Sequence, residues 1–180
     1  KSPEQLRLAT SIFFFISGFG YSTWASRIPS IQQHLQLNEA QLGALLLAMP
    51  AGLIVTMPLT GKLLGHFESR MIMFIGALIF NFLLGLPGFV VNTLQLMLVL
   101  FCFGSARNLM NLSLNTQAVY VQALFSKSIL TTMHGIWSLA GFAGAGLGYL
   151  MVLFDVGTRW HLVSVGAVLI AAAILCFPYT

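Results

Sequence analysis

Residues 128–154 read SILTTMHGIWSLAGFAGAGLGYLMVLF, a run without one charge, closed by Lys127 on one side and Asp155 on the other. A helix of about 20 residues crosses the roughly 30 Å of hydrocarbon in a bilayer. This stretch is therefore read as a membrane span. The same reading extends outward along the chain. Residues 8–26 lie uncharged between Arg7 and Arg27, residues 40–61 between Glu39 and Lys62, and residues 160–180 after Arg159. Residues 71–106, between Arg70 and Arg107, are too many for one helix, and Pro87-Gly88 with Asn92-Thr93 break them near the middle. The fourth span must then run through Arg107. The spacing predicts an all-α membrane protein with six transmembrane helices over 7–27, 39–63, 70–90, 94–122, 128–152 and 160–178.

Composition agrees. The 180 residues are 58% hydrophobic and 7% charged, with a mean hydropathy of +0.91, whereas soluble chains carry about 25% charged residues. Eight cations and four acids cannot build a water-facing surface, which excludes a cytosolic enzyme, a nucleic-acid binder and a disordered tail. The net charge of +4 is scattered singly and is read by membrane side. Lys1, Arg7, Lys62, Arg70 and Lys127 share the side of the N-terminus, while Arg27 and Arg159 fall opposite. The positive-inside bias makes the N-terminus cytoplasmic. Trp24 and Trp160 at outer ends and Tyr179 at an inner end suit an interfacial belt, and Asn38 with Gln41 caps span 2. The first apolar stretch exceeds the core of about 7–15 residues in a signal peptide. The chain opens at Lys1 and stops at Thr180 just after a span, which reads as part of a longer protein. Cys102 and Cys176 have neither the spacing nor the depth for a disulfide or metal site, so no cofactor is expected.

Polar side chains then sort the spans. With about 100° per residue, Arg107, Asn111, Asn115, Ala118 and Gln122 fall within about 80° of one another, and Asn108 lies near that arc. An Arg at mid-bilayer costs roughly 2.5–3.5 kcal/mol on insertion scales, so such a stripe faces protein or water. Interhelical hydrogen bonds alone would be worth only about 0.6 kcal/mol each, and a solute path is the better account of the whole stripe. Span 5 carries Thr131, His134, Ser138, Phe142, Ala145 and Tyr149, with Gly141, Gly144 and Gly148 allowing close approach or sliding against a neighbour. A hairpin between spans 4 and 5 would set Asn115 level with His134 and Asn111 level with Ser138. Span 1 repeats the theme with Thr10, Phe14, Ser17, Tyr21 and Trp24. Spans 3 and 6 are bland enough to face lipid. Haem ligation, an intramembrane serine hydrolase and paired carboxylates all fail, because His134 is the one deep histidine, Ser105 points away from the stripe and the four acids lie at ends. The chain is not read as an enzyme.

Three stretches resemble the major facilitator superfamily. Gly61-Lys62-Leu63-Leu64-Gly65-His66-Phe67-Glu68-Ser69-Arg70 is similar to the cytoplasmic signature Gly-x-Leu-x-Asp-Arg-x-Gly-Arg-Arg. Gly61, Leu63 and Arg70 match; Gly65 stands where the Asp would be, and Glu68 is an acid one turn away. The second stretch is Trp24-Ala25-Ser26-Arg27-Ile28-Pro29 with Leu37 and Leu42-Gly43. The third is Asn115-Thr116-Gln117-Ala118-Val119 followed by His134-Gly135-Ile136-Trp137-Ser138, Gly141, Gly144 and Gly148. Together they resemble a bacterial inner-membrane branch near the fucose-type sugar permeases, with carboxamides at Asn111 and Gln122 where that branch often has acids. The resemblance implies the N-terminal six-helix half of a twelve-span fold, built from two inverted three-helix repeats. Asp155-Val156-Gly157-Thr158-Arg159 echoes the loop between spans 2 and 3. Spans 1 and 4 would line the cavity, 2 and 5 meet the other half, and 3 and 6 face lipid.

The expected function is secondary transport of a small polar, hydroxylated or anionic solute such as a sugar, by alternating access. Tyr21, Trp24, Arg107, Asn108, Asn111, Asn115, His134 and Ser138 would line the path, and Gly61, Glu68 and Arg70 the gating loop. A proton-coupled cycle in this half would run through His134, the side-chain type that titrates near neutral pH. Expected partners are the solute, lipid and the missing C-terminal half. The alternative is a non-transporting six-span scaffold, which the parent reading frame would distinguish.

Overall fold

The computed structural model describes residues 1–180. Three helices begin where a polar side chain satisfies a first-turn backbone N–H group. In α1 (Pro3–Ser26) the Ser2 hydroxyl accepts from the Gln5 N–H while the Gln5 side-chain Oε1 accepts from the Ser2 N–H. Asn38 and Gln41 repeat that exchange at α3 (Glu39–Leu46), and Asn92 accepts from Gln95 at α6 (Thr93–Gln122). Between α1 and α3 lies a helix the sequence reading did not anticipate, α2 (Ile28–His34), started by Pro29 and ended by Gln36 at φ 52°. The second span is α3 continued by α4 (Ala48–His66), interrupted at Leu47. Pro50 explains the break, because it has no N–H to give the carbonyl four residues back. α5 (Ser69–Leu84) gives way to a tight turn, Leu86–Phe89, holding Pro87. α7 (Leu130–Leu153) and α8 (Thr158–Cys176) complete the bundle, joined through Asp155 at φ 54°.

Five helical stretches are long and apolar enough to cross a membrane: Glu39–His66, Ser69–Phe89, Thr93–Gln122, Leu130–Leu153 and Thr158–Tyr179. α1 has the length, 24 residues. Its share of Ser, Thr, Gly and Tyr keeps it out of that set.

α1 lies along α7 as α6 lies along α4; α5 packs on α6 as α8 packs on α1, and α5 touches α8. Exchanging the first three spans for the second three leaves this pattern unchanged. Glycines lock both long pairs. A methyl on Gly18 of α1 would overlap the Trp137 carbonyl of α7, and one on Gly144 of α7 would come within 2.6 Å of the Phe19 oxygen of α1. In the other pair a methyl on Gly52 would overlap the Phe101 carbonyl, and one on Gly104 the Met49 carbonyl. The core between them holds Phe13, Phe14, Trp24, Phe80, Phe103 and Met110, all fully buried. α5 is the most deeply packed of the five apolar stretches, whereas α3–α4 and α7 leave the most surface free. The free side of α5 is an apolar stripe of Met71, Ile75, Ile79 and Phe82, spaced so that all four share one helical face.

Candidate functional site

The α1–α6 seam brings the predicted polar residues together. Arg107 stands near the middle of the 30-residue α6, and its guanidinium carbon lies 3.8 Å from the centroid of the Tyr21 ring. Such cation–π stacking is worth about 0.5–2 kcal/mol, more as water is excluded. No carboxylate pairs with it. The two ion pairs present are at chain ends and loops, Glu4–Arg7 at 2.8 Å and Glu68–Arg70 at 2.6 Å. One turn along α6, Asn111 Oδ1 accepts from the Ser17 hydroxyl at 2.8 Å. A further turn along, the exposed Asn115 donates from Nδ2 to the Asn111 carbonyl at 2.8 Å. The result is a half-open polar strip with a fixed cation at mid-helix.

Two predicted residues, Trp24 and Asn108, are buried, and two, His134 and Ser138, lie on a separate helix. Trp24 is 2% exposed, its ring edge-on to Phe103 at 6.0 Å. It is neither in the interfacial belt nor on the path, because the bulk of α1 and α6 closes over it. Asn108 is turned about 100° from Arg107 and donates to Thr60 of α4 at 2.9 Å, so it fastens the α4–α6 pair. His134 and Ser138 lie on the open face of α7. His134 meets the edge of Phe14 at 5.2 Å, and Ser138 donates to the His134 carbonyl at 3.2 Å. No hydrogen bond links His134 to Asn115 or Ser138 to Asn111, because α7 lies along α1 and scarcely touches α6.

The glycines and the loop are equally specific. Gly144 and Gly148 face Phe19, Thr23 and Ser26 of α1, and Gly141 faces Ser22, so this surface is an internal seam rather than a sliding face. Gly61 is open, with no neighbour within 4 Å of where a β-carbon would stand. Arg70 is held by Glu68, the acid a turn away from the signature position.

Three side chains take structural roles that the sequence reading did not give them. Arg27, placed in an outer loop by its position, is 3% exposed; its Nε donates to His161 Nδ1 at 2.9 Å and an Nη to the Val156 carbonyl at 2.7 Å. The pairing needs an unprotonated imidazole nitrogen as acceptor. Gln117 accepts from Ser69 at 2.6 Å, joining α6 to α5. Gln122 accepts from the N–H groups of Ile129 and Leu130 at 2.7 and 3.3 Å, so it caps the start of α7. Arg27 and His161 are 134 residues apart, and no local pattern pairs them.

No family model matches the chain. An uncharacterised MFS-type transporter of Yersinia pestis is 31% identical over 140 residues, 78% of this chain and 36% of that protein. An uncharacterised transporter of Sinorhizobium fredii is 27% identical over 148 residues, 82% of this chain and 39% of that protein. Membrane protein MosC of Rhizobium meliloti is 32% identical over 136 residues, 76% and 33% respectively. The chain thus spans well under half the length of these relatives. The crystal structure of the nucleoside transporter NupG matches with a TM-score of 0.75 over 94% of this chain and 44% of its own, at 18% identity, a likeness of fold. Helices of this length and apolarity define an integral membrane protein, and two of the relatives are named as transporters. The chain belongs to the major facilitator superfamily.

Proposed function

We propose that the chain is the N-terminal six-helix half of a secondary transporter that moves a small polar solute across a bacterial inner membrane by alternating access. α1 counts as the sixth span, its polar residues turned to the seam and to α7. The N-terminus is cytoplasmic, which puts five of the cations on the inner side. The self-matching packing of the first and second three spans supports two inverted repeats. The free surfaces of α3–α4 and α7 suit contact with the other half.

The observation that carries this reading is Arg107, a mid-helix cation stacked on Tyr21 with no acid in reach. An unpaired Arg at that depth is costly and marks a solute path. Tyr21, Asn111 and Asn115 line the path beside it, with His134 and Ser138 on the α7 wall. A polar solute, hydroxylated or anionic as a sugar or sugar acid is, suits donors backed by an aromatic ring. The test is uptake by the complete protein in proteoliposomes. Arg107→Gln should insert and fold yet abolish uptake; wild-type uptake by that variant would make Arg107 structural and refute the path. A wild type that moves no solute would favour the scaffold.

A further inference from the structure

Arg107 and Asn111 differ from the other polar groups of α6 in what they have left to offer. Tyr21 covers one face of the guanidinium, so its in-plane edge remains, and that edge holds only N–H donors. Asn111 could present either end of its carboxamide. Ser17 decides which, because its hydroxyl donates to Oδ1 at 2.8 Å and leaves the Nδ2 amino group as the free end. Ser17 is 2% exposed and can reach a solute only through Asn111. One turn on, Asn115 gives an N–H of its own amide to the Asn111 carbonyl, which leaves its Oδ1 free as an acceptor. The strip therefore runs donor, donor, acceptor along about 12 Å of helix.

Resting on the transporter reading above, we propose that Ser17 is a positioning residue that holds Asn111 as a donor. Arg107 and Asn111 then select an oxyanion on the solute, and Asn115 takes a hydroxyl of the same molecule. The substrate class is a hydroxylated carboxylic acid. A neutral polyol or sugar offers these donors only hydroxyl oxygens, which accept uncharged and weaker hydrogen bonds than a carboxylate does. Charge-assisted hydrogen bonds from guanidinium to carboxylate are about twice as strong as neutral ones, which sets the order of preference.

The test uses the purified complete protein and matched probes: glucuronate against glucose, gluconate against sorbitol, and lactate against propane-1,2-diol. Thermal stabilisation is read as a function of probe concentration. At least one acid should stabilise the wild type while its neutral counterpart does not. Arg107→Gln and Asn111→Asp should both abolish the acid response, the second because it places a carboxylate beside the guanidinium. Ser17→Ala should raise the half-saturating acid concentration about fivefold, the weight of one neutral hydrogen bond, and Ser17→Thr should restore it. A purely structural Ser17 would lower the unliganded melting temperature and leave the preference for acid over neutral probe unchanged, which would overturn the positioning role. Equal stabilisation by neutral probes, or none by any acid, overturns the substrate class. Uptake assays separate the two readings. Seam-dependent uptake of a neutral solute would sink this inference and leave the transporter standing, whereas acid binding with no solute moved would do the reverse.

Discussion

Gly104→Ala should destabilise the protein more than its size suggests. A β-carbon at that position would lie 2.8 Å from the Met49 carbonyl carbon and 3.0 Å from its α-carbon, against about 3.5–4.0 Å for unstrained contact. Those neighbours are backbone, so no side chain can rotate aside; α4 and α6 must part by roughly 1 Å. Parting stretches the Asn108–Thr60 bond from 2.9 Å past the range in which it holds, and loosens the 3.2 Å contact from Ser105 to the Gly52 carbonyl. Overpacking costs about 1–3 kcal/mol, and an interhelical bond in a membrane adds about 0.6. The helix propensity of Ala over Gly returns up to about 1 kcal/mol, leaving a net loss of about 1–3 kcal/mol. Gly146→Ala is the matched control, since nothing lies within 4 Å of its added carbon; it should be neutral or slightly stabilising. Both variants would be purified in detergent and unfolded by heat or by a graded SDS titration. If Gly104→Ala proved as stable as Gly146→Ala, the close backbone crossing of α4 and α6 would be wrong.

Trp24→Ala should cost about 3–5 kcal/mol, as for other large buried aromatics, without altering which solute protects the protein; a change of specificity at wild-type stability would return Trp24 to the path. Asn108→Ala should lose only about 0.6 kcal/mol and keep uptake, measured in proteoliposomes. Arg27→Lys cannot reach the His161 ring and the Val156 carbonyl together, and hydrogen bonds from charged groups are worth about 1.5–3 kcal/mol each. Faster hydrogen exchange across the α7–α8 turn is the expected sign, and unchanged exchange would show the clamp to be idle. If coupling runs through His134, His134→Gln should end accumulation driven by an imposed pH gradient and spare exchange; a variant that still concentrates solute places coupling elsewhere.

The positions of the helices were legible along the chain because a bilayer imposes a one-dimensional rule: backbone polar groups inside it must be satisfied within the segment. Charge-free runs of sufficient length, broken at Pro87-Gly88 and capped at Asn38 and Asn92, therefore mark where helices start and stop. Periodicity likewise placed Arg107, Asn111 and Asn115 on one side of α6. A polar stripe says only that a face avoids lipid; it does not name what the face meets. Tertiary packing alone put Asn111 on Ser17, gave Asn108 to Thr60 instead of to solvent, and closed the core over Trp24. It also left α7 alongside α1, so His134 and Asn115 share no bond. Arg27 and His161 mark the limit most clearly. Each sits near a helix end and reads as a surface residue, and only the meeting of α1 with α8 buries the guanidinium against the ring. Such contacts join residues far apart in the chain, and their partners are chosen by which glycine-lined faces let two backbones approach, a property of pairs of helices that no single segment carries.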